Sequence, residues 1–261
     1  MTLDAAFAPP PPLNLVDNLI LEPKIHIPEY QLNPTNISSS LLTSPTTKIQ
    51  PRTRRLTITN EQPITMKLKL EICSDSDMAR SFEILSLAFG HEHPYINAAY
   101  PSHSTPSGRA IGASQLLSIK HSDPCTTFLK VTDTDTGLMI ASAKWNVYNQ
   151  TIPPEWELDG DFWDTEEDKE YANLLSLDLL TVDPKYQRQG AGRLLVQWGT
   201  TLADKLGFTA VVESTEYGRG LYESEGFKFI DRWETRLPEK WEGTKGKQKF
   251  IWMVRPAKKI V

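Results

Sequence analysis

Thiols are scarce in this chain: its 261 residues include two cysteines, Cys73 and Cys125. A disulfide framework or a structural zinc site needs more thiols, or a matching Cys/His spacing. Both cysteines are therefore expected as small, semi-buried residues in a reducing compartment. An excess of positive charge is lacking too, with 28 Lys and Arg against 33 Asp and Glu and a formal net charge of -5. Nucleic-acid binders carry a basic surface. The one dense basic cluster near the start, Arg52, Arg54 and Arg55, is short, so no nucleic-acid partner is expected. No apolar run approaches the ~20 residues that cross a bilayer, and no membrane partner is expected either. The N-terminus carries Asp4 and no basic region ahead of an apolar one, so no secretory leader is read there. The expected location is the cytoplasm, with the nucleus left open.

Regular patterning is missing from the N-terminal stretch. Pro9 to Pro12 form a run that favours an extended polyproline helix, and further prolines at 23, 28, 34, 45, 51 and 63 break any regular element. Residues 1–63 read as a Pro/Ser-rich, mostly disordered arm. The exception is Leu13, Leu15, Val16, Leu19, Ile20 and Leu21, apolar enough to dock somewhere. Residues 64–256 read as the globular domain and 257–261 as a tail.

The domain announces itself by alternation. Met66, Leu68, Leu70 and Ile72 alternate with Lys67, Lys69 and Glu71, the signature of a half-buried strand. Asp75 is placed to cap a helix with Met78, Phe82, Leu85 and Phe89 on one face and Gly90 at its end. His91 to Pro106 reads as a loop. Ile111, Leu116, Leu117 and Ile119 predict a second helix, ended by Ser122-Asp123-Pro124. Thr126 to Val131 and Leu138 to Tyr148 predict a hairpin. An acidic insertion spans Ile152 to Glu170, and Tyr171 to Val182 reads as one long strand. Gly190 to Leu206 predicts a helix closed by Gly207. Thr209 to Glu213, Phe227 to Trp233 and Lys249 to Val254 read as strands, with a short helix over Glu216 to Glu225. The sum is a mixed α/β domain, with hairpins first and strand-helix-strand units later.

The most informative segment runs from Leu174 through Asp183-Pro184-Lys185-Tyr186-Gln187-Arg188-Gln189-Gly190-Ala191-Gly192. An apolar strand enters a glycine-containing bend and then a helix whose Ala191, Leu195, Trp198, Leu202 and Leu206 share a face. A helix N-terminus offers unpaired amides and partial positive charge, and so attracts phosphate. Gly190 and Gly192 let the backbone approach closely, and Arg188 and Arg193 add charge. A Walker loop needs Gly-Lys-Ser/Thr, which is absent. A dinucleotide loop needs a small third residue where Leu195 stands, although Glu213 ends the next strand where a ribose-binding acid would sit.

The pattern Gln187-x-x-Gly190-x-Gly192 resembles the pyrophosphate loop of the GNAT superfamily of acyl-CoA N-acyltransferases. The order of strand, loop, long helix, strand and short helix ending Leu221-Tyr222-Glu223-Ser224-Glu225-Gly226-Phe227 is similar to that family as well. The likeness runs over about 171–230, extends more loosely from 66 to 254, and leaves out the arm. It implies a central, mixed, mostly antiparallel sheet flanked by helices. It implies acetyl-CoA or another acyl-CoA as donor, held by Gln187, Arg188, Gln189, Gly190, Ala191, Gly192 and Arg193. The main chain of Leu180, Thr181 and Val182 would pair with the pantetheine arm. Thr215 stands where many relatives carry a CoA-contacting Asn; it can also simply cap the next helix.

The chemistry so implied needs three things. The acceptor ammonium must lose a proton, the amine must reach the thioester carbon, and the departing thiolate must gain a proton. Tyr222 matches the family's frequent general acid; the alternative is an aromatic packing residue. Asp178 lies in an otherwise apolar strand, where a carboxylate needs a partner or a function, and it is the candidate base, directly or through water. His93, Tyr95, Trp145, Trp156 and Glu213 are candidate acceptor contacts. The acidic insertion, with Trp156, Phe162 and Trp163 among its carboxylates, could cradle a cation or be a solvated loop. His91-Glu92-His93 lacks a third ligand, so no metal is expected. The expected acceptor is a small-molecule primary amine, with a protein lysine or N-terminus as the other option. A non-catalytic CoA-binding protein on the same scaffold and a nucleotide-dependent oxidoreductase are the competing readings.

Overall fold

The computed structural model describes residues 20–21, 66–90, 93–148, 158, 160, 162–175 and 179–258. Its strands are β1 (Ile20–Leu21), β2 (Leu68–Ile72), β3 (Thr126–Asp133), β4 (Leu138–Asn146), β5 (Leu180–Val182), β6 (Thr209–Ser214), β7 (Lys228–Glu234) and β8 (Lys249–Arg255). Its helices are α1 (Met78–Phe89), α2 (Pro94–Ala99), α3 (Pro106–Ser122), α4 (Glu166–Leu174), α5 (Ala191–Leu206) and α6 (Arg219–Ser224). The fold is mixed α+β. Instead of one continuous sheet, two four-stranded sheets form, ordered β2-β3-β4-β5 and β1-β6-β8-β7. All pairs are antiparallel except β1 on β6, where Ile20 faces Thr209 and Leu21 faces Ala210. That parallel pair falls within the apolar stretch of the N-terminal segment.

Each face of the first sheet has its own apolar core. On one side α1 and α3 cover Phe128 and Met139, with Phe82, Leu85, Ile96 and Leu116 filling the space together with Trp241. On the other, α5 lies over Leu129, Val131, Ile140 and Ala143 and continues onto Val212, Ile251 and Met253 of the second sheet. Helix α5 therefore spans both sheets. Leu195 and Val196 on it are fully buried, each contributing about 1.5–3 kcal/mol by removal from water.

The buried seam of α5 is Ala191, Leu195, Val196, Gly199, Thr200 and Ala203, while Trp198 and Leu202 are only half-buried and Leu206 is exposed. The face is rotated from the sequence expectation because small residues allow closer approach. A Cβ at Gly199 would stand 2.3 Å from the Trp145 ring, far inside contact distance.

Four other local readings are corrected. Tyr171 to Leu174 are helical, part of α4, and the strand described after them is Leu180–Val182. The α4 start signal is Thr165, whose side chain accepts from the Asp168 amide, with Glu166, Glu167 and Asp168 in the first turn, where carboxylates favour the helix dipole. Within the expected loop from His91, Pro94 starts α2 at a position where its missing N–H costs nothing. Ser74 and Asp77, not Asp75, form the cap box before α1. Asp75 instead pairs with Lys120 and His121 of α3.

Candidate functional site

Strands β5 and β6 flank α5 in the chain, yet they belong to different sheets. Among the described residues β5 ends the order β2-β3-β4-β5 and is an edge strand. Bonds from the Lys144 amide to the Leu179 carbonyl (2.7 Å) and from the Asp183 amide to the Ile140 carbonyl (2.9 Å) fix the phase of its ladder. By antiparallel alternation, Leu179, Thr181 and Asp183 turn their backbone groups toward β4, and Leu180 and Val182 turn theirs to the open edge. Of the three residues expected to offer main-chain groups there, Thr181 is thus directed at Ser142 instead. Among the described residues, β6 is paired on its own free side only at Thr209 and Ala210, with β1.

The chain then passes from Val182 into the loop. Asp183 is buried, its side chain accepts from the Lys185 amide, and Pro184–Tyr186 form a single 3-10 turn. Gln187, Arg188 and Gln189 are exposed. Arg188 has φ 64° and Gly190 φ 97°, a left-handed bend that favours glycine at the second position. This bend turns the chain into α5, whose first amides, those of Ala191, Gly192 and Arg193, have no acceptor within the helix. They cluster at a mouth beside the open edge of β5.

Two of the expected loop contacts take other roles. A Cβ at Gly192 would stand 3.2 Å from Leu221 and 3.5 Å from Val182. Glycine there lets α5 settle on α6 and β5. Arg193 pairs with Glu225 at 3.0 Å and donates to Ser224 at 3.2 Å, so its charge joins α5 to α6. Thr215 accepts from the Gly218 amide through its side chain at 3.1 Å, closing the turn ahead of α6, whose own cap position is Gly218 rather than Thr215.

Tyr222 sits on α6, buried, with its ring edge-on to Phe227 at 5.5 Å. Glu213 is a buried carboxylate near the end of β6, opposite Trp252 of β8. Asp178 and Trp156 lie outside the described residues, as do His91 and Glu92.

Among the candidate acceptor contacts, Trp145 is removed to the core. It is buried beneath α5 and its indole N–H donates to the Leu195 carbonyl at 3.1 Å. His93 precedes α2 with its ring edge-on to Phe89 at 4.7 Å. Its Nδ1 is buried without a hydrogen-bond partner among the described residues, and burial lowers its pKa, favouring the neutral imidazole. Tyr95 is buried edge-on to Tyr100, and burial pushes the Tyr100 phenol up to about 12. A cavity of about 460 Å³ opens nearby, walled by Pro94, Asn97, Trp163, Asp168, Tyr171 and Lys245. His93 and Tyr95 are not on its wall.

The carboxylates of α4 are largely engaged within the protein. Asp168 pairs with Lys245, Glu170 with Lys240, and Glu167 accepts from the Trp241 indole. Tyr171 donates to the Gly246 carbonyl. These contacts lace the connection between β7 and β8 onto α4, which accounts for this part of the acidic run without a bound cation. Cys73 is buried, its thiol pushed up to about 12 chiefly by burial, and is accordingly inert.

The sequence could not announce one feature of this region. Arg80 of α1 donates to the Asp183 carboxylate at 2.6 Å, to the Met139 carbonyl at 3.0 Å and to Glu83 at 2.8 Å. Its key partner lies 103 positions away.

Residues 166–236 match the sequence profile of the Acetyltransferase (GNAT) domain family. Over that stretch the chain is similar to this family. One solved structure supports the fold, and two others are similar at a lower level. Mosquito arylalkylamine N-acetyltransferase like 5b superposes with a TM-score of 0.50 at 16% identity, covering 73% of this chain and 100% of that one. A Corynebacterium glutamicum structure described as histone acetyltransferase HPA2 and related acetyltransferase has a TM-score of 0.47 at 15% identity, covering 75% and 100%. The Escherichia coli ribosomal-protein-S18-alanine N-acetyltransferase has a TM-score of 0.43 at 19% identity, covering 75% and 99%. No curated protein matches the chain in sequence. The described residues of this chain hold no group of three or more His, Cys, Asp or Glu suited to a metal ion. None of its described helices is long and apolar enough to cross a membrane.

Proposed function

We propose that this GNAT domain transfers an acetyl or other acyl group from acyl-CoA to the primary amine of a small molecule, by direct attack in a ternary complex. The observation that carries the reading is the open edge of β5 running straight into the amide-lined mouth of α5. The two match the two halves of the donor. A diphosphate suits the unpaired amides of Ala191, Gly192 and Arg193 together with the exposed Gln187, Arg188 and Gln189. An amide-bearing pantetheine suits the outward N–H and C=O groups of Leu180 and Val182, pairing as an added strand.

In this scheme the acceptor arrives as an ammonium and gives up its proton to Asp178, directly or through water. The amine nitrogen bonds to the thioester carbon, the carbon–sulfur bond breaks, and the thiolate takes a proton from Tyr222, while the second proton that the nitrogen sheds on becoming an amide passes to water and restores the phenol. The ring of Tyr222, packed against Phe227, is held in a fixed orientation, as proton transfer requires. Binding at these sites needs no metal. The setting would be cytoplasmic.

The test has two stages. Acetyl-CoA should raise the thermal midpoint and NAD should not, because a ligand that binds the native state stabilises it. Thiol release should then appear with members of a panel of small amines. Acetylation of a peptide lysine or N-terminus alone would move the acceptor class, and tight CoA binding with no turnover on any amine would favour a non-catalytic CoA-binding protein. Tyr222→Phe should keep CoA affinity and lower turnover by about 10²-fold; an unchanged rate removes the acid role.

A further inference from the structure

We infer that Arg80 is a positioning residue for the phosphate loop, holding its geometry and cancelling a buried negative charge at its base without touching the donor. The inference rests on the reading of the α5 mouth as the CoA diphosphate site.

Asp183 is the pivot of that loop. Its side chain is 6% exposed, and its polar atoms are engaged. The amide donates to Ile140 at 2.9 Å, the carbonyl accepts from Tyr186 at 2.8 Å, and Oδ1 accepts from the Lys185 amide at 3.1 Å. Oδ2 accepts from Arg80 at 2.6 Å. One carboxylate therefore joins the end of β5 to the turn that leads to the mouth.

That carboxylate also creates an electrostatic problem. A buried negative charge at the base of a loop that must receive a diphosphate repels it, and low local polarisability strengthens the repulsion. Arg80 answers both needs. Its side chain, 22% exposed, reaches from α1 and holds the β4 carbonyl of Met139 with the same fork that neutralises Asp183. Three of its five N–H donors go to Asp183, Met139 and Glu83, and the proposed effect on the loop runs through Asp183.

The two roles predict an unusual mutational pattern. Arg80→Met leaves Asp183 charged and unneutralised, and should weaken CoA binding by about thirtyfold. Adding Asp183→Asn to Arg80→Met removes the stranded charge and should recover affinity to within about fivefold of wild type. A residue that only supported the fold would give a double variant weaker than either single one. Turnover at saturating acetyl-CoA should stay within about twofold of wild type in both, because the arrangement acts on binding.

The experiment is calorimetry with CoA on the full-length wild type, Arg80→Met, Asp183→Asn and the double variant. Hydrogen exchange at amides 185–190 of the unliganded proteins accompanies it. Arg80→Lys, which keeps the charge and loses the fork, stands in if Arg80→Met fails to fold, with an expected loss of about fivefold. The proposal is overturned if Arg80→Met, or Arg80→Lys in its place, binds CoA as wild type does, or if the double variant is weaker than the single. If wild type itself does not bind CoA, the reading of the mouth fails separately. The exchange data then decide the positioning role: faster exchange at 185–190 in the Arg80 variant sustains it, and unchanged exchange overturns it.

Discussion

The two ends of α5 are made from the same backbone and treated in opposite ways. At the C-terminal end the polar groups are closed off. Gly207, at φ 71°, sends its amide back to the Ala203 and Asp204 carbonyls, and the Phe208 amide also returns to Ala203. Asp204 then receives both arms of Arg255, at 2.7 and 2.9 Å, and Lys258 at 2.7 Å. At the N-terminal end a glycine in the cap position offers no side-chain oxygen to the first amides, although Ser, Thr, Asp or Asn there would stabilise the helix by about 1 kcal/mol. One end is built for stability. The other forgoes a routine stabilisation where an anion is proposed to bind.

If that contrast is real, disturbing the two ends should affect different observables. The largest effect is expected from Gly190→Asp, which sets a carboxylate at the mouth. CoA affinity should fall by about a hundredfold in calorimetry, a penalty of ~2.7 kcal/mol, with a loss of about 1–2 kcal/mol in unliganded stability from the left-handed backbone. Asp204→Ala should do the reverse. Removing one partner of a largely buried pair should lower stability by about 3 kcal/mol in urea unfolding, with CoA affinity unchanged. Equal weakening of CoA by both variants would erase the distinction between the ends.

A smaller, pH-dependent effect sharpens the same point. Hydrogen bonding from Arg255 lowers the Asp204 pKa from 3.8 to about 2, overcoming burial. A carboxylate depressed by folding stabilises the native state above its unfolded value and loses that contribution as pH falls toward its folded one. The stability advantage of wild type over Asp204→Asn should therefore be full at pH 7 and fade between pH 3.8 and about 2. An advantage that persists at or below pH 2 would refute the ion-pair account. The smallest effect is expected from Gly207→Ala, about 1 kcal/mol from the left-handed cap, read as a lowered thermal midpoint with CoA binding intact.

The sequence reveals the elements whose signals are local. Alternation marks β2, punctuation by Gly90 and Gly207 marks the ends of α1 and α5, and Gly190 together with the apolar spacing after it locates the mouth. It misleads where two local signals compete. Tyr171 to Val182 is apolar enough to pass for one strand, but the Thr165 cap and three acids downstream of it outweigh that and wind Glu166–Leu174 into a helix. Pro94 reads as a breaker, though proline is equally a starter at the first helical position. Trp145 looks available to a ligand because one strand pattern cannot say which face a helix will cover. The hold of Arg80 on Asp183 is a contact between segments far apart in the chain, and no spacing rule predicts it.

One packing detail reaches farther than its size suggests. The carbon atom missing at position 199 lets the middle of α5 rest against the Trp145 indole, and that contact sets how high the whole rod rides above the strands. Its first turn rises and falls with it like the tip of a lever. Even a methyl group placed halfway along, eight residues after Ala191, would lift the amides away from where they now stand, and a site would be retuned by an atom that never meets its guest.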